Sequence, residues 1–124
     1  MNNDKQELLK ESDERTWYLV KEWTTEAGLK ARIHQCVWKD QVKAIASSLH
    51  DFYCGYVQKR DDDTKRYYDN DIDVHGGVTH EGDFTALGLT GTWVGYDMAH
   101  LGDENRQNIE YATKECERLA KQMI

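Results

Sequence analysis

Apolar and polar residues alternate with a period of two over much of the first hundred positions, and the period lengthens to three and four at the C-terminal end. The run Thr16 to Trp23 is rich in β-branched and aromatic residues and predicts a strand, with positions 24–28 as a turn. In the next run Leu29, Ala31, Ile33 and Val37 fall on one side and Lys30, Arg32 and His34 on the other, which predicts a half-buried strand. Val42, Ile45, Ala46 and Leu49 have helical spacing, so a short helix is expected within Lys39 to Asp51. Phe52 to Lys59 reads as a third strand. Asp71 to His80 alternates again, with Ile72, Val74 and Val78 against Asp71, Asp73, His75 and Thr79, and Gly76-Gly77 interrupts it. Thr92 to Met98 places Val94, Tyr96 and Met98 inward and Trp93, Gly95 and Asp97 outward, and is expected to pair with the Asp71 to His80 run as a hairpin. Ile109, Ala112, Cys116, Leu119, Ala120 and Met123 form the stripe of an amphipathic helix, with Asp103 as its expected N-cap. Asp4 to Arg15 is polar and rich in helix formers, so a short helix is expected there, anchored only by Leu8 and Leu9.

These elements predict an α+β fold: a small antiparallel sheet of about four to five strands packed by the C-terminal helix. The division is a weakly anchored N-terminal helix over residues 1–15 and a single domain over 16–124. A chain of 124 residues is long enough for one core, and 39% hydrophobic with 31% charged residues is a folding composition with a heavily solvated surface. The net charge of −7 opposes attraction to phosphate backbones, so direct nucleic-acid binding is not expected. A partner protein with a basic surface is the complementary expectation. No apolar run reaches the roughly 18 to 20 residues of a membrane span, and no signal-like segment opens the chain, so a cytoplasmic protein is expected. Cys36, Cys54 and Cys116 are distant and odd in number, which fits buried thiols better than a disulfide framework.

Candidate chemistry gathers between Asp71 and Asp103. Imidazole and carboxylate groups suit a transition metal, and a catalytic zinc needs three such ligands and an open position. His75, His80, Asp97 and His100, with Asp103 as a further donor, are the residues that would supply them. His75 and His80 are five apart, so a regular strand sends them to opposite faces. Neither a metalloprotease helix motif, a serine elbow nor a P-loop is present, and no cofactor is expected. Cross-strand pairing of Asp71 and Asp73 with Lys30, Arg32 and His34 would account for those carboxylates without catalysis. His34 and His50 read as surface or boundary residues, and the four tryptophans as core or core edge. The residues singled out for binding are His75, Gly76, Gly77, Thr79, Trp93, Asp97 and His100.

Asp71-Ile72-Asp73-Val74-His75-Gly76-Gly77-Val78-Thr79, followed by Trp93-Val94-Gly95-Tyr96-Asp97-Met98-Ala99-His100-Leu101-Gly102-Asp103, resembles a family of small phage and prophage proteins of unassigned activity. Cys54-Gly55-Tyr56-Val57 and Glu115-Cys116-Glu117-Arg118-Leu119-Ala120 look like landmarks of the same family. The resemblance covers roughly the last two-thirds of the chain. Two departures stand out: the charged run Lys59 to Asp69 replaces a link that contains proline and histidine, and Met98 stands where a thiol is common. The resemblance implies a viral accessory protein that acts in the host cell by binding a host factor. The leading expectation is therefore a non-enzymatic inhibitor of a host enzyme or defence system. The alternatives are a metal-dependent hydrolase using His75, Asp97 and His100 with His80 or Asp103, and a sponge for a small signalling nucleotide with the Gly76-Gly77 amides at phosphate.

Overall fold

The computed structural model describes residues 6–46, 48–68, 70–100 and 102–124. Six strands form one antiparallel sheet in the order β1-β2-β3-β4-β6-β5. They are β1 (Glu7–Glu11), β2 (Arg15–Thr24), β3 (Lys30–Trp38), β4 (Phe52–Gln58), β5 (His80–Asp83) and β6 (Thr92–Asp97). A short helix α1 (Asp40–Ile45) links β3 to β4, and the long helix α2 (Ile109–Gln122) ends the chain. Register shifts between Leu8 and Lys10 and between Leu19 and Lys21 mark bulges, which increase local twist and bend the β1–β2 edge. Among the described residues no helix is long and apolar enough to cross a membrane.

Residues paired across strands share a face, so the register sorts the side chains. Ala31, Ile33, Val57, Val94 and Tyr96 lie on one face, and Ala112, Cys116 and Leu119 of α2 pack against it, all 0% or 1% exposed. The opposite face carries Arg32, His34 and Cys36 of β3, Phe52, Cys54 and Tyr56 of β4, and Trp93 of β6. It too is covered: Phe84, from the turn after β5, sits 4.8 Å from the Tyr56 ring and 4.7 Å from His80, where the rings stack. Arg32 and His34 are 5% and 3% exposed, so the expectation of a surface or boundary His34 is corrected.

Two glycine–tyrosine pairs lock β4 to β6, one on each face. Gly55 stands opposite Tyr96 and Gly95 opposite Tyr56. A Cβ on Gly55 would meet Cys116 Sγ at 2.6 Å and Tyr96 Cζ at 2.7 Å, and one on Gly95 would collide with the Tyr56 ring. Each tyrosine lies across its glycine, so the ring shields backbone that no side chain covers.

Several expectations are corrected. Residues 7–11 form an edge strand in place of a helix, because Leu8 pairs with Tyr18 and Lys10 with Trp17. Residues 1–5 of that expected helix lie outside the described residues. The sheet has six strands rather than about four to five. Residues 71–79 form no strand, since Gly76 and Gly77 hold φ of 70° and 81° and turn the chain. The hairpin therefore begins only at His80, with His80 opposite Gly95 and Asp83 opposite Thr92. Asn108, whose side chain accepts from the Tyr111 amide, caps α2, while Asp103 opens a 3-10 turn ahead of it.

Candidate functional site

Polar side chains on α2 recur at Tyr111, Glu115, Arg118 and Gln122, three or four residues apart and therefore along one stripe. That stripe grips the 71–79 segment. Gln122 exchanges hydrogen bonds with the Asp73 backbone, accepting from its amide at 2.8 Å and donating to its carbonyl at 2.9 Å. Arg118 donates to both Asp73 carboxylate oxygens at 2.9 and 3.1 Å, and the His75 amide donates to Glu115 at 2.8 Å. Asp73 thus pairs with the helix, and the expected ladder from Asp71 and Asp73 to Lys30, Arg32 and His34 is not formed: Arg32 pairs with Glu22.

The His75 ring is held at both nitrogens, Nδ1 lying 2.8 Å from the Tyr111 hydroxyl and Nε2 3.0 Å from Asp103 Oδ2. The same Asp103 oxygen accepts from the His100 amide at 3.1 Å and lies 3.4 Å from His100 Nδ1. Burial raises the Asp103 carboxyl, but the hydrogen bond and charge of His75, with His100 adding, outweigh burial and hold it below its ordinary value. Asp97 Oδ1 accepts from the Ala99 amide and lies 3.7 Å from His100 Nδ1. Gly76 is required here twice over: its φ is positive, and a Cβ would stand 2.5 Å from His100 Cε1. The structure thus brings together His75, Asp97, His100 and Asp103 from the expected donors and sends His80 to the aromatic face.

The remaining residues singled out earlier are dispersed. Gly77 donates its amide to the Val74 carbonyl, and the His75 amide is committed to Glu115, so this turn does not present a row of amides for phosphate. Trp93 is 2% exposed and donates to the Thr90 carbonyl. Thr79 is exposed and donates its amide to Gly95.

The aromatic face carries a second constellation. Two hollows adjoin there, sharing Trp17 and Tyr56. One encloses about 150 Å³ between Lys10, His34 and Phe84, and the other about 360 Å³ between Arg15, Trp38, Phe52 and His80. The Arg15 guanidinium lies 5.0 Å from the rings of both Trp17 and Trp38. Arg15 and Lys10 make no ion pair among the described residues. His80 Nε2 is buried with no hydrogen-bond partner among the described residues. Burial lowers the pKa of His80 and takes His34 down to about 3, with Arg32 and His80 adding to the second shift, so both rings are neutral at physiological pH.

No family model matches the chain, nor does any curated protein or solved structure.

Sequence reasoning misses this second face because Trp17 and Trp38 read as core or core edge and His34 as surface or boundary. The available signal was the alternation Phe52-Cys54-Tyr56 in β4, an outer face too apolar to stay in water.

Proposed function

We propose that this chain is a non-enzymatic binding protein that holds a small anionic aromatic ligand, of the nucleotide class, on the aromatic face of its sheet. The observation that carries the reading is the hollow walled by Trp38, Phe52 and Tyr56, with the Arg15 guanidinium 5.0 Å from the Trp17 and Trp38 rings at its side. Ring walls stack a base, worth roughly 1 to 3 kcal/mol by alanine substitution, and Arg15 and Lys10 supply positive charge for phosphate. The ligand site moves from the Gly76-Gly77 turn to this face, because the Gly77 and His75 amides are already bonded. Of the His75–Asp97–His100–Asp103 group only Asp97 lines either hollow, which favours binding over hydrolysis.

Docking of a basic host protein on the acidic exterior, the accessory role that charge and resemblance suggest, has less support in the geometry. Glu11, Glu22 and Asp73 are engaged by Lys39, Arg32 and Arg118.

Tryptophan fluorescence and melting temperature, followed while the four common nucleoside monophosphates are titrated in, test the proposal. Saturable quenching and a rise in Tm are expected with at least one. Trp17→Ala should weaken binding at least tenfold, and Arg15→Gln should weaken the nucleotide far more than its nucleoside. No saturable response to any of them refutes the reading, and a salt-sensitive host partner captured by the same protein would then favour the accessory role.

A further inference from the structure

We propose that His75, His100 and Asp103, with Asp97 beside His100, form a binding site for a divalent transition-metal ion of the zinc type. One ligand atom from each of His75, His100 and Asp103 lies within 4.8 Å of the others. Asp103 Oδ2 is 3.0 Å from His75 Nε2 and 3.4 Å from His100 Nδ1, and Asp97 Oδ1 is 3.7 Å from that same His100 atom. Metal–ligand bonds of about 2.0 to 2.2 Å in a tetrahedron put neighbouring donors roughly 3.3 to 3.6 Å apart, so these separations suit one ion with small shifts. A set of two imidazoles and carboxylates without sulfur suits zinc, cobalt or nickel, and its few oxygens do not suit calcium.

The group is built as a metal site is built. His75 and Asp103 side chains are 8% and 7% exposed and fixed, while His100 is 45% exposed and free to swing inward, which also supplies an entry path. Tyr111 holds the far nitrogen of His75, the outer-shell bond that orients a metal-ligating imidazole. A metal at Nε2 leaves the imidazole hydrogen on Nδ1, which then donates to the Tyr111 oxygen. Gly76 leaves the space that the His100 ring occupies.

The test uses the full chain stripped with chelator and titrated with zinc or cobalt alone, so it is independent of any organic ligand. One equivalent should bind, Tm should rise, and cobalt should give the visible absorption of a tetrahedral site. His100→Ala, at an exposed position, should abolish the cobalt spectrum, and Tyr111→Phe should weaken binding by about 10- to 100-fold. His50→Gln should bind metal as the parent does. Absence of stoichiometric binding overturns the proposal. So does binding that survives His100→Ala, or that is lost with His50→Gln, which would mark an adventitious ion only.

Discussion

Replacing Gly55 by alanine tests the account of the β4–β6 seam. The new methyl would lie 2.6 Å from Cys116 Sγ and 2.7 Å from Tyr96 Cζ, far inside van der Waals contact. Neither neighbour can yield easily, since Tyr96 is 1% exposed and Cys116 0%, and the Tyr96 hydroxyl is tied to the Ala112 carbonyl of α2 at 2.8 Å. Overpacking of a close-packed core costs about 1 to 3 kcal/mol. If the ring moves aside, a buried hydrogen bond worth about 1 kcal/mol is also lost, which brings the expected destabilisation to about 2 to 4 kcal/mol. Urea unfolding followed by circular dichroism measures it as a fall in midpoint at constant m-value. Gly82→Ala is the control: like Gly55 it lies in a strand without a positive φ, yet the nearest atoms to the added methyl are 3.9 Å away. A Gly55→Ala loss no larger than the Gly82→Ala loss would mean that close packing against Tyr96 and Cys116 does not explain the residue, and the seam argument would fail.

Acid stability and thiol chemistry give two more predictions. Burial, with Arg32 and His80 adding, lowers His34 from 6.5 to about 3, so the unfolded chain takes up a proton on His34 that the folded chain refuses. That contribution is complete above about pH 6.5 and is lost progressively as pH falls towards 3, so His34→Gln should flatten the urea midpoint against pH over this window; an unchanged slope refutes the assignment. Burial pushes Cys36 up to about 11 and Cys116 up to about 12, so native protein should react with a disulfide reagent at pH 8 only as fast as it unfolds, and rapid labelling of either would contradict their packing.

The parts of the fold legible in the sequence are those where one period dominates. The α2 stripe and the alternation of β3 and β6 meet this condition: Ala31, Ile33, Val94 and Tyr96, expected inward, are buried on the face that α2 packs against. Residues 7–11 misled because helix propensity is a weak prior and an edge strand is decided by the neighbour it pairs with, here β2. Residues 71–79 misled for another reason: their alternation is real, but their polar atoms are satisfied by Tyr111, Glu115, Arg118 and Gln122, about 40 positions away. The clustering of His75, Asp97, His100 and Asp103 was legible as composition. Their convergence was not, because it depends on two glycines turning the chain under His100. The aromatic face was hidden by the rule that charged and imidazole side chains face water, which Arg32 and His34 break by bonding each other, Nε to Nε2, at 3.0 Å.

The two constellations meet at Asp97. It closes β6 opposite Cys54, lines the larger hollow, and lies beside His100. A cation held by His75, His100 and Asp103 would therefore neutralise a carboxylate at the rim of the proposed ligand site, on the face that also carries Arg15 and Lys10. Coulomb interaction between partly buried groups is only weakly screened by salt, so occupancy of the metal site would raise the affinity for an anion and leave a neutral ring ligand nearly unaffected. By linkage the anion would tighten the metal to the same degree. The sign of that coupling follows from charge alone, whereas a metal site serving only to pin the 71–79 segment would tighten anionic and neutral ligands alike.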